Sequence, residues 1–184
     1  MCHSRVEGGV PVNNEQLKVQ LANVRDGDNE AFADIYNDMK TPLFTIICRI
    51  TRNKELAEDV LHDLFVKLHQ SPPGPSVNNP RAWVFQMARN LAINSMRTPQ
   101  MVELNEEIEN RQPVFSDRVN TQIDIENAMR TLASDEIEIV SLRVYGDFKF
   151  REIADILQLP LGTALWKYQK TVKKLRTYLN GGSI

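Results

Sequence analysis

Between residues 14 and 97, and again from 121 to 179, apolar positions recur at helical intervals of three and four residues. The spacing predicts a first helix over Asn14–Arg25. Asp28 is a good N-cap for a second that runs to about Met39 and carries the stripe Phe32, Ile35, Tyr36 and Met39. Thr41-Pro42 has the form of a cap followed by a first-turn proline, which predicts a separate helix through Ile50. Asn53 can cap the segment ending at Gln70, in which Leu56, Val60, Leu61, Leu64 and Leu68 share a buried side. The loop SPPGPSVNN follows, too rich in proline to continue a helix. Pro80 then opens a helix to Arg97 in which Trp83, Met87, Leu91 and Ser95 recur every fourth residue, with Val84, Ala88 and Ala92 beside them.

The pattern fades from Thr98 to Asn120, where Glu103, Glu106, Glu107, Glu109 and Pro113 read as an acidic linker of low order. It resumes as four helices, about 121–131, 135–145 (capped by Ser134), 150–157 and 161–179. No stretch alternates as a strand would. The expected fold is all-α, with two small helical domains: a lead-in at 1–13, a bundle at 14–97, the linker at 98–120 and a second unit at 121–184.

With 42% hydrophobic and 25% charged residues, the 184-residue chain has the composition of a globular protein. Its formal net charge of −2 hides a division of charge. Residues 160–180 hold Lys167, Lys170, Lys173, Lys174 and Arg176 without an acid, while 98–125 is acidic. Local field outweighs the total where nucleic acid is concerned. Cys2 and Cys48 are too few for a disulfide framework. No apolar run is long enough to cross a bilayer and the first dozen residues lack a signal-peptide core, so a cytoplasmic location and no membrane insertion are expected. No P-loop, GxGxxG, HExxH or nucleophile with a partner occurs, so neither catalysis nor a cofactor is expected. His62 and His69 lie seven apart on one helix without a third ligand, so no metal is expected.

Two segments carry candidate chemistry. On the helix from Pro80, the residues Gln86, Arg89, Asn90, Asn94 and Arg97 present amides and guanidinium groups with no carboxylate. Arginine pairs with phosphate, and asparagine or glutamine reads base edges. Phe150 to Thr163 has the spacing of a helix-turn-helix: Ile153, Ala154 and Leu157 face inward, Leu159 plugs the corner, and Pro160 ends the first helix. The second helix of such a motif enters the major groove, and the lysines along it would contact phosphates. The stripe Leu161, Leu165, Tyr168, Val172, Leu175 and Leu179 also has the spacing of a partner-helix seam. On the helix after Asn53, Glu55, Glu58, Asp59 and Asp63 form an acidic side, either a solvated face or a dock for a basic protein surface.

Taken in order, ELAEDVLHDLFVKL, RAWVFQMARNLAINSMR, the acidic linker and FREIADILQLPLGTALWKYQKTVKKLR resemble the extracytoplasmic-function (ECF) sigma factors of bacteria, from Asp26 to Leu179. The resemblance implies an initiation subunit of RNA polymerase. It implies docking on the core polymerase clamp through Leu56, Asp59, Val60, Asp63 and Phe65. It implies −10 promoter recognition and melting through Asn79, Arg81, Trp83, Gln86, Arg89, Asn90, Asn94 and Arg97. It implies −35 recognition through Arg151, Thr163, Leu165, Trp166, Lys167, Lys170, Lys173 and Lys174, and an anti-sigma factor as a further partner. The rival readings are a helix-turn-helix regulator acting without polymerase and a helical interaction adaptor. Trp83 suits either a duplex fork or the core. The chain departs from the family at Asn94 (often Asp), Lys149 (usually a Ser or Thr cap), Gln158 (commonly Gly) and the apolar pair Leu165-Trp166 (usually polar). That pair suits either thymine methyls or an anti-sigma contact.

Overall fold

The computed structural model describes residues 13–97 and 121–180; the lead-in, the acidic linker and the last four residues lie outside them. Its helices are α1 (Asn14–Arg25), α2 (Asn29–Thr51), α3 (Lys54–Gln70), α4 (Pro80–Arg97), α5 (Thr121–Arg130), α6 (Ser134–Val144), α7 (Phe150–Leu157) and α8 (Leu161–Leu179). Among the described residues there is no strand.

The first unit is built around α2, which packs on α1, α3 and α4. The expected break at Thr41-Pro42 does not occur: Pro42 sits inside one continuous helix. Ile35, Met39, Leu43, Ile46, Ile47 and Ile50 form a single buried stripe across it. The carbonyl that loses its hydrogen bond belongs to Asp38, which is exposed to water. Burying that stripe, at about 1.5–3 kcal/mol per large side chain, outweighs one disrupted helical bond. Caps fall where the sequence placed them at Asp28, whose carboxylate accepts from the Glu30 and Ala31 amides, and at Asn53, whose side chain accepts from Leu56 N–H at 3.0 Å. Asn79 caps α4 through Ala82 N–H at 3.0 Å.

In the second unit α8 runs across α5, α6 and α7. Ser134 does not cap α6; it lies within the helix, and the Glu136 carboxylate reaches back to the Ala133 amide at 2.9 Å. Lys149 precedes α7 without a capping oxygen, and Glu152 takes the Lys149 amide at 2.8 Å in its place. Gln158 adopts a left-handed conformation, φ 55°, at the helix-turn-helix corner.

The two units pack against each other, α2 against α6 and α4 against α7. Phe85 of α4 and Phe148, in the turn before α7, are both fully buried. Their rings meet edge to face, centroids 4.8 Å apart.

Candidate nucleic-acid and polymerase interface

Of the residues expected on the polymerase-facing patch, Asp59 and Asp63 are exposed and Leu56 is half-buried. Val60 and Phe65 are not on that surface. Val60 is 4% exposed and Phe65 5%, the latter's ring packed edge-on against Phe32 and tilted against Tyr36. The reason is phase: both lie on the side of α3 turned to α2, with Leu64 and Leu68. Glu55, Glu58 and His62 are exposed beside the two aspartates, so an acidic surface remains.

Along α4 the polar face divides. Asn90, Asn94 and Arg97 are exposed, and Gln86 and Trp83 are half-buried. Trp83 packs against the core. Arg81 corrects the expectation that it faces nucleic acid. It is 9% exposed, donates to the Gly146 carbonyl, and lies over the rings of Phe148 (4.1 Å) and Phe85 (5.7 Å). Burial lowers its pKa from the ordinary arginine value, opposed by the fields of Glu152 and Asp147, and it stays protonated at neutral pH. Arg89 is half-buried, its Nε donating to Glu138 Oε2 at 2.6 Å. Asn79 Nδ2 donates to Glu152 Oε1 at 2.8 Å. The partners Glu138, Glu152 and Phe148 were not singled out from the sequence. Glu138 carried a signal, being an acid inside the apolar run Ile137-Glu138-Ile139-Val140.

On α8 the five cations do not act alike. Lys167 is bound to Asp135 at 2.5 Å, and Lys174 to Glu136 at 3.0 Å and the Thr131 carbonyl at 3.3 Å. These two lysines tie α8 to the start of α6, an acidic surface brought from another helix. The hydrogen bond from Lys167 holds the Asp135 carboxyl below its ordinary range. Glu136 is also lowered: burial pushes it up, but the Ala133 amide and Lys174 outweigh that. Lys170, Lys173, Arg176 and, on α7, Arg151 are exposed. Trp166 is 57% exposed, with the Lys170 ammonium 5.0 Å from its ring centroid. Thr163 and Leu165 are half-buried near the start of α8. The outer face of α8 therefore presents Trp166, Lys170 and Lys173 together, one aromatic platform among cations.

The family described as Sigma-70 region 2 matches residues 35–100, from within α2 through α4. An ECF RNA polymerase sigma factor SigK from Mycolicibacterium vanbaalenii is 24% identical over 181 residues, covering 92% of either chain. The SigW ECF sigma factor of Bacillus subtilis is also 24% identical, over 89% of this chain and 96% of its own. The chain is similar to ECF sigma factors over about nine-tenths of its length. The fold agrees. CnrH, solved in complex with the cytosolic domain of CnrY, superposes with a TM-score of 0.65 over 91% of this chain and 99% of its own, at 16% identity. The Bartonella quintana sigma factor RpoE, solved with the anti-sigma factor NepR, gives 0.59 over 80% and 97%, at 21% identity. The region 2 match thus falls on α2, α3 and α4, and the helix-turn-helix corner is formed by α7 and α8.

Proposed function

We propose that this protein directs bacterial RNA polymerase to promoters, contacting the −10 element through α4 and the −35 element through α8, with the acidic face of α3 against the polymerase. It contributes binding and strand separation and carries no reaction of its own. The observation that carries this reading is one arrangement of surfaces on a chain similar to ECF sigma factors over about nine-tenths of its length. An acidic α3 face bears Asp59 and Asp63, and polar α4 bears Asn90, Asn94 and Arg97. A cationic α8 face bears Trp166, Lys170 and Lys173. Separating base pairs costs a few kcal/mol per unstacked base, which contacts to the extruded strand can offset. Because a fold relative was solved with an anti-sigma factor, a regulator of that kind is the expected protein partner besides polymerase.

Run-off transcription with core polymerase on a library of genomic fragments tests the reading. Discrete start sites that depend on the protein are expected. Arg89→Ala with Asn90→Ala should impair open-complex formation and spare polymerase binding, whereas Asp59→Arg should do the reverse. Duplex binding without polymerase recruitment would replace this reading with that of a plain helix-turn-helix regulator.

A further inference from the structure

The exposed face of α8 contains a stripe narrower than its run of cations. At about 100° per residue, Gly162, Trp166, Gln169 and Lys173 fall within about 60° of one another, and all four are exposed. The residues beside that stripe are engaged elsewhere. Lys167 is held by Asp135 at 2.5 Å and Lys174 by Glu136 at 3.0 Å, while the Tyr168 ring packs edge to face on Phe150 with centroids 5.0 Å apart. At Gly162 an added Cβ would meet nothing within 4 Å, so the first turn of α8 stands clear of the rest of the fold. Gln169 was not singled out from the sequence; its exposure on the same stripe as Trp166 brings it forward.

The chemistry of the stripe is selective. Arginine is the commonest reader of guanine, and none occurs between Leu161 and Lys174. A glutamine amide fits the N6/N7 edge of adenine, and an apolar side chain packs on the C5-methyl of thymine. In a helix-turn-helix the early residues of the second helix meet base edges, and lysines contact phosphates. That gives Trp166 and Gln169 to the bases and Lys173 to the backbone. The Lys170 ammonium, 5.0 Å from the Trp166 ring centroid, supports the ring from one side. Trp166 and Gln169 are about 4.5 Å apart along the helix axis, close to the roughly 3.4 Å between stacked base pairs, so they suit neighbouring pairs. We propose that α8 selects two adjacent A·T pairs, Gln169 bonding the adenine edge of one and Trp166 covering the thymine methyl of the other. Gln169 is then a specificity-determining residue, and the upstream site it selects is A·T-centred. The proposal rests on the reading of α8 as the −35 helix.

The full-length protein, with and without core polymerase, is mixed at low salt with duplexes randomised over about one turn of B-DNA, and the retained sequences are read. An enriched site with two adjacent A·T pairs is expected. Within the best duplex, uracil in place of the contacted thymine removes one methyl and should weaken binding about fourfold. Replacing the contacted adenine by 7-deazaadenine removes one acceptor and should weaken it about fivefold. The two effects should separate by variant: Trp166→Ala loses the uracil effect and keeps the deazaadenine effect, and Gln169→Ala does the opposite. Circular dichroism of both variants should match the parent, since both side chains are exposed. Enrichment of G·C pairs, or affinities indifferent to both base analogues, would overturn the assignment and leave α8 a duplex-binding helix. No enrichment, with or without core polymerase, would overturn the −35 reading itself.

Discussion

Replacing Phe148 by alanine tests the packing between the two units. The ring is completely buried, 4.8 Å from the Phe85 ring and 4.1 Å beneath the Arg81 guanidinium. A Phe→Ala change in a core costs about 3–5 kcal/mol, lost transfer energy plus the cavity. Within that sum the edge-to-face pair accounts for roughly 0.5–1.5 kcal/mol, and the desolvated cation–π contact for about 1–2 kcal/mol. Both of those partners belong to α4. Much of the loss should therefore appear as uncoupling of the second unit from the first, while the first keeps its own core around α2. Each unit has its own reporter, Trp83 on α4 and Trp166 on α8. In urea, the fluorescence of Trp166→Phe and Trp83→Phe variants should give coincident transitions on an otherwise native background. With Phe148→Ala added, the Trp166 transition should move to lower urea by about 1–3 M, given m-values of about 1–3 kcal/mol/M. A total loss below about 1 kcal/mol, or transitions already separate without the substitution, would refute the claim that this ring joins the units.

Gln158→Gly should stabilise the protein by about 0.5–1 kcal/mol in the same assay, because a left-handed φ of 55° costs a side-chain-bearing residue about 1–2 kcal/mol and glycine returns part of that gain as chain entropy. Gly146→Ala should be clearly destabilising, by about 1–3 kcal/mol, since its Cβ would stand 2.6 Å from the buried Phe148 ring and 2.7 Å from the Leu142 carbonyl; a neutral melting temperature would contradict the packing. The Asp135 carboxyl titrates lower folded than unfolded, so its contribution is complete above the unfolded value and is lost as pH falls through the folded one. A pH titration of stability should accordingly show α8 loosening only below about pH 4, with Asp135→Asn flattening that limb. Trp166→Ala should weaken binding to a −35 duplex by about tenfold and leave stability unchanged, as fits a largely exposed ring; a drop in melting temperature would place it in the core instead.

The helices themselves were legible along the chain because they depend on local information. Asp28, Asn53 and the loop from Ser71 to Asn79 mark starts and stops that the structure keeps, and the spacing of α7 and α8 announced their corner. The region 2 resemblance was legible for the same reason: its motifs are runs of consecutive residues. Pro42 shows the limit. Its local signal for a helix start is real, yet the stripe from Ile35 to Ile50 is buried only if the helix continues, and that reward exists only once α1, α3 and α4 surround it. Val60 was already on the buried side by its helical spacing, against the role the resemblance implied for it, whereas Phe65 goes inward because α2 brings Phe32 and Tyr36 against it. What the cations and amides of the candidate interface bind across helices was decided by the tertiary structure. Arg89 with Glu138, Asn79 with Glu152 and Lys167 with Asp135 are far apart in sequence, and pairing at such range has no period to read. A residue's type fixes which partners it can accept, and only the packed fold determines which of them arrives.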